Sequence, residues 1–221
     1  MDAPTIITSV ISQTGTDASR ATILSILNER YQQQVADSQW LLRTTTIGTT
    51  TAGVSTYPFS GIIGGTEVVE ILGLRVNSIP WDRVGMQDIW DLQAGNIKAS
   101  FPNGGGLYSP SYDASGGAYV QLYPTPGASG QTIDCLAATL PAPLTDVNGV
   151  TPVVPTDAHG SLIDGTSATI LARIDERPDL AQPYEDRFAV ATEKLRRRKN
   201  SLLRGRGPVQ IQVAGYHWDN R

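Results

Sequence analysis

Cysteine is nearly missing from this chain of 221 residues: there is one, Cys135. That excludes any internal disulfide framework and fits a reducing compartment. Histidine is almost as scarce, with only His159 and His217, far apart in the sequence. A metal site would need several cysteine or carboxylate partners at ligand spacing, and Cys135 stands alone in a strand-like run, so neither a metal site nor a metal cofactor is expected. No apolar run approaches the roughly 18 residues needed to cross a bilayer. The opening Met1-Asp2-Ala3-Pro4 lacks a basic stretch followed by an apolar core, so no secretion signal is expected. The expectation is a soluble protein that works where it is made.

The familiar signatures of catalysis are missing too. No serine lies in a nucleophile-elbow pattern, and the glycine clusters lack the lysine and the strand-loop-helix context of a phosphate loop. Asp146, Asn148 and Gly149 imitate the start of a calcium loop, but no glutamate follows at the twelfth position, so they read as a turn. Glu67 with Glu70, and Asp175, Glu176 and Asp179, read as solvated faces and helix-end charges. The expectation is a protein that is not an enzyme and needs no cofactor.

Basic charge, by contrast, is concentrated. Of 17 basic residues, seven fall between positions 194 and 206: Lys194, Arg196, Arg197, Arg198, Lys199, Arg204 and Arg206. No acid lies among them. The net charge is −4, so removing those seven positive charges leaves −11 on everything else. An acidic body with one cationic end must point it at something negative, whether nucleic acid, an acidic protein partner or, third, a membrane surface. On a helix, Lys194, Arg197 and Arg198 share one side while Arg196 and Lys199 lie off it. The macrodipole accounts for two or three cations at a helix C-terminus, not seven. The membrane reading lacks apolar anchors opposite the charges. Base-reading modules are not visible, which leaves phosphate contact or an acidic protein surface.

Periodicity divides the chain. Pro4 in a first turn, then Ile6, Ile7, Val10 and Ile11, predict a helix ending at Gly15. Asp17 is positioned to cap a second, with Ile23, Leu27, Tyr31 and Val35 in steps of four, running toward Trp40. The threonines from Thr44 to Thr51 then favour pleated structure. Strand-like runs occupy 52–59 and 66–76, with Gly61, Gly64 and Gly65 between them. A short helix is expected near 82–94, with Met86, Ile89 and Trp90 on one face. After a loop at Asn103 to Gly106, strands at 118–123 and 131–139 predict an antiparallel pair turned by Pro124, Pro126 and Gly127. A Pro- and Gly-rich connection covers 140–156. Thr156-Asp157 can cap a helix over 157–174, weakened by Gly160 and Gly165; Arg177-Pro178-Asp179 breaks it, and a last helix follows to about residue 200.

Beyond it, Val209, Ile211 and Val213 alternate like a strand with no partner, ending in Tyr216 and Trp218. Such a ribbon either folds back on the β region of its own chain or adds as a strand to another chain's sheet edge. The class expected is α+β: terminal helices packed together as a helical domain, a β-rich insert, and an extended C-terminal tail. The boundaries expected are 1–43 and 157–203 for the helices, 44–156 for the insert and 204–221 for the tail.

These features in this order resemble the head-to-tail adaptor (connector) proteins of tailed bacteriophages. The likeness is carried by the opening helix with Ile23, Leu24, Leu27, Asn28, Glu29 and Tyr31 running to Trp40. Tyr57-Pro58 and Val120, Leu122, Tyr123 and Pro124 follow, then Val154-Pro155, then a closing helix with Tyr184, Phe188 and Leu195 that turns basic. The Gly-rich segment 102–117 departs from the pattern. The resemblance implies a structural virion protein of the neck, a ring of about twelve copies under the portal. The ring would extend the DNA channel and offer a surface to the next tail or neck protein. The genome would pass through its lumen, and no membrane would be involved. By position, the basic run would meet the channel or portal junction, and Val209, Ile211, Val213, Tyr216 and Trp218 would form the portal-binding tail. Assembly in the host cytoplasm is expected. A receptor- or carbohydrate-binding virion protein would explain the Thr/Gly-rich middle but not the basic helix end. A small nucleic-acid-binding regulator would explain that end but not the β region.

Overall fold

The computed structural model describes residues 1–59, 62–63, 66–95, 101, 104–114 and 117–204, with backbone alone at 62, 63, 66 and 202–204. Helix α1 (Ala3–Thr14) buries Ala3, Ile6, Ile7 and Val10, the one-face spacing expected. Asp2 caps it by accepting from the Thr5 amide, and Gly15 closes it in the left-handed region at φ 67°. Helix α2 (Arg20–Ser38) is capped by Ser19 rather than by the expected Asp17, the Ser19 hydroxyl accepting from the Thr22 amide. Its buried face is Ile23, Leu27, Tyr31, Gln34, Val35 and Ser38.

From Leu42 the chain enters a sheet. Its strands are β1 (Leu42–Thr49), β2 (Thr56–Pro58), β3 (Ile62–Ile63), β4 (Thr66–Val76), β5 (Ile79–Arg83), β6 (Leu107–Tyr112), β7 (Ala118–Tyr123) and β8 (Thr132–Thr139). They hydrogen-bond in the order β1-β8-β4-β5-β6-β7-β2, with β3 paired to β4. Every pairing is antiparallel except β5 with β6, which is parallel. Leu74, Val76, Ile133, Cys135 and Ala137 from β4 and β8 share a core with Tyr57, Trp81, Tyr108, Val120 and Leu122 from the other end. The sheet therefore curls around its own core as a half-barrel. Helix α3 (Met86–Gln93) packs on β6 and β7.

The expected fold class is corrected by this sheet. The β region is not an insert on a helical body: it is a single mixed sheet with its own core, begun directly after α2, and the helices lie at its ends. The extended tail of that expectation lies outside the described residues. The expected antiparallel pair is also overturned, because β7 pairs with β6 and β2 while β8 pairs with β1 and β4. The intervening loop is tied instead to the loop after β1. The Thr50 hydroxyl donates to Ala128 O at 2.8 Å and the Gly53 amide to Pro126 O at 3.0 Å, and this carries the chain across the sheet. Two strands, β5 and β6, were hidden by Pro80 and by the glycine cluster. Gly106 has to be glycine for β6 to reach β5, since a Cβ there would lie 2.7 Å from the Trp81 ring. The short helix begins at Met86 rather than near 82, and it buries Ile89 and Leu92 while Trp90 is 56% exposed.

After β8 the chain returns over the helices. The connection is bound to α2 through both backbone polar groups of one residue: Asn28 Nδ2 donates to Leu144 O at 3.0 Å and Asn28 Oδ1 accepts from the Leu144 amide at 2.6 Å. Tyr31 Oη accepts from the Val153 amide at 2.9 Å, and Arg20 forks onto Asp146 at 2.8 and 2.9 Å. A 3-10 turn (Thr156–Ala158) leads into α4 (His159–Arg173) with no side-chain cap, so Thr156-Asp157 does not act as expected. His159 is buried, its Nε2 at 3.0 Å from Val154 O. Helix α5 (Pro178–Arg204) follows. Ile6, Ile7, Leu27, Tyr31, Val35, Leu162, Ile170, Phe188 and Leu195 from α1, α2, α4 and α5 form the second core.

Candidate interaction surface at the end of helix α5

Helix α5 has 27 residues and so runs about 40 Å. Its buried stripe is Ala181, Phe188, Thr192, Leu195 and Lys199, stepping by seven, four, three and four. The stripe is held to α2 by Arg30, which forks onto Glu185 at 2.8 and 3.2 Å and donates Nε to the Thr169 hydroxyl at 2.6 Å. The same guanidinium lies 5.4 Å from the Phe188 ring centre. Acids dominate the first part of the helix: Asp179, Glu185, Asp186 and Glu193 against Arg187 alone. From Lys194 the sign reverses, cations lying where the helix dipole favours them.

The structure sorts the basic residues. Lys199 sits on the core stripe, 7% exposed, and donates Nζ to Gln39 Oε1 at 2.8 Å. Burial lowers its pKa, with Arg196 adding to the effect and Glu70 opposing it. Arg198 forks onto Asp157 at 3.1 and 3.2 Å, and Arg197 reaches back to Glu193 at 2.9 Å, with 78% of its side chain exposed. Both pairs are open to water and worth little as stabilisers. Lys194 and Arg196 are exposed and make no ion pair among the described residues. Arg196 flanks a shallow groove between α2 and α5, lined by Gln33, Asp37, Phe188, Ala189 and Thr192. The side chain of Arg204, all of Arg206, and Val209, Ile211, Val213, Tyr216 and Trp218 lie outside the described residues.

Sequence reasoning did not single out Gln39 or Glu70 as partners of this helix end. Gln39 Nε2 donates to Glu70, and Glu70 in turn pairs with Arg83. The chain Lys199-Gln39-Glu70-Arg83 thus ties the end of α5 to β4 and β5. One signal was available: Lys199 falls four residues after Leu195, on the apolar stripe.

Among the described residues, no three or more His, Cys, Asp or Glu side chains are grouped to hold a metal ion. No helix among them is long and apolar enough to cross a membrane. The described chain is thus a curled sheet joined to a helical layer, with cations gathered at one helix end. The chain belongs to the SU10 adaptor protein family, whose model matches residues 1–212. It is accordingly a phage structural protein, a virion component that associates with other head and tail components. A comparison with curated proteins finds no match.

Proposed function

We propose that this chain is the repeating subunit of a head-to-tail adaptor ring that docks under the portal, extends the DNA channel and gives the next tail or neck protein its attachment surface. The observation that carries this reading is the charge reversal along α5 in a chain of net charge −4, with Lys194, Arg196 and Arg197 directed to solvent. Those three, with Arg204 and Arg206, are the residues offered to the genome in the lumen or to an acidic surface at the portal junction. A ring of about twelve copies closes through heterologous contacts, each copy presenting one face to the next. Tyr216 and Trp218, at the end of the tail, serve as the aromatic anchors on the portal. Assembly takes place in the host cytoplasm, before the particle is complete.

The test is electron microscopy of the full chain mixed with its portal. Stacked rings with a continuous axial channel are expected, and Trp218→Ala should weaken the stacking. A chain that stays monomeric beside the portal, with no density attached to it, would refute the proposal.

A further inference from the structure

The two edges of the sheet differ. β2 is three residues long and ends in Pro58, which has no amide to offer. β1 is eight residues long and, among the described residues, is hydrogen-bonded only to β8. It contains no proline or lysine, and its one charge is Arg43. Its one irregularity is a register shift between Thr46 and Gly48. None of its side chains is buried. An edge of this length with so little protection is a template for another strand.

We propose that the open edge of β1 is filled by residues 208–213 of a neighbouring copy, an inference that rests on the ring of subunits proposed above. That segment, Pro208-Val209-Gln210-Ile211-Gln212-Val213, is uncharged and alternates apolar with amide side chains. The last turns of α5 are pinned at Gln39 by Lys199, and Gln39 lies three residues before Leu42. If the tail of the same copy filled this edge, it would have to start from the Leu42 side and run in the same direction as β1. To pair antiparallel it would first have to reach the Thr49 end, and the three residues 205–207 extend at most about 10 Å, whereas eight strand residues span about 27 Å. The neighbouring pairs β1·β8 and β8·β4 are antiparallel. A tail from an adjacent copy enters at the Thr49 end and pairs antiparallel, the more stable ladder. In a closed ring each copy gives one strand and receives one, so no edge is left over. Tyr216 and Trp218, beyond the paired segment, are left for the portal.

Hydrogen exchange on the full-length chain, as dilute monomer and as assembled ring, tests this. The outward amides of 42–49 should exchange at least tenfold more slowly in the ring. Ile211→Pro should abolish both that protection and the ring, while leaving the monomer's melting temperature unchanged. Rings in which 42–49 exchange as fast as in the monomer would overturn the inference. So would equal protection in the monomer, which would mean that each tail covers its own edge. Ile211→Pro rings that still stack under the portal would sink the strand exchange and leave the adaptor reading standing. Failure of the wild-type chain to form rings, with or without portal, would remove both.

Discussion

Lys199 Nζ lies 2.8 Å from Gln39 Oε1, joining the last turns of α5 to the residue that ends α2. Gln39 adopts φ 50°, a left-handed conformation that turns the chain from helix toward β1, and its amide passes the contact on to Glu70 in the sheet. A cation in the middle of the basic run is therefore part of the body's framework. It holds the helix end in one place against the sheet while its neighbours stay in water.

Substitutions at this position should separate stability from partner binding. Lys199→Met keeps the stem's packing and removes a charge that burial disfavours, so stability should stay within about 1 kcal/mol of wild type. Lys199→Glu buries an acid beside Glu70 and should cost about 3 kcal/mol. The lowered pKa sets the sign of the pH effect. Between the folded value and the ordinary lysine range the unfolded chain binds more protons, so wild type should gain on Lys199→Met as pH rises through that window. If the basic end meets DNA, Lys194→Ala, Arg196→Ala and Arg197→Ala should each lower the salt slope of binding by about 1, and Lys199→Met should not. Denaturant melts and salt titrations of DNA binding read all of this.

Asn28 makes two hydrogen bonds to the backbone of Leu144, acting as a side-chain substitute for a strand neighbour. Asn28→Ala should cost about 2 kcal/mol, the sum of two ordinary bonds. Asn28→Asp keeps the acceptor but loses the donor to Leu144 O, and should fall between the two. Urea denaturation gives the ordering. A cost below about 0.5 kcal/mol would mean that water replaces the clamp.

The helices were readable where one face repeats at helical spacing. Ala3, Ile6, Ile7 and Val10, and Ile23, Leu27, Tyr31 and Val35, are buried as the spacing demands. The sheet was less readable, since strand order is set by contacts distant in sequence. Nothing local in 118–139 says that β7 and β8 must take different neighbours; hydrogen bonds from Thr50 and Gly53 decide it. Pro80 disguised β5, which tolerates proline in its short pairing with β4. At the candidate site, composition found the basic cluster but could not distinguish a solvated guanidinium from an ammonium on the core stripe. Asp157 was read as a cap and instead faces Arg198 across two elements.

Gly165 looked like a weakness in α4 and proves to be a packing requirement. A Cβ there would lie 2.5 Å from Phe188 Cδ2, so the ring of α5 rests directly on the α4 backbone. Gly165→Ala gains helix propensity of about 1 kcal/mol but must displace a buried ring, for a net loss of about 1–2 kcal/mol. Gly160 has nothing within 4 Å of its Cβ position, so Gly160→Ala should stabilise by roughly 0.5–1 kcal/mol. Opposite signs for two glycines in one helix, read by thermal melts, are the outcome that checks this packing.

Tyr108 is 1% exposed, and its hydroxyl has no hydrogen-bond partner among the described residues. An unpaired buried hydroxyl costs free energy, so Tyr108→Phe should be neutral or stabilise by up to about 1 kcal/mol. Burial, as the largest cause, pushes the phenol up to about 12 from 10.0. Between those values the folded chain holds a proton that the unfolded chain releases, so stability should fall as pH rises through that window. Tyr108→Phe should remove that part of the alkaline loss while leaving the curve near neutral pH unchanged in shape. Urea melts from pH 7 to 11 compare the two chains. An identical alkaline decline in both would show that this hydroxyl is solvated in the native state.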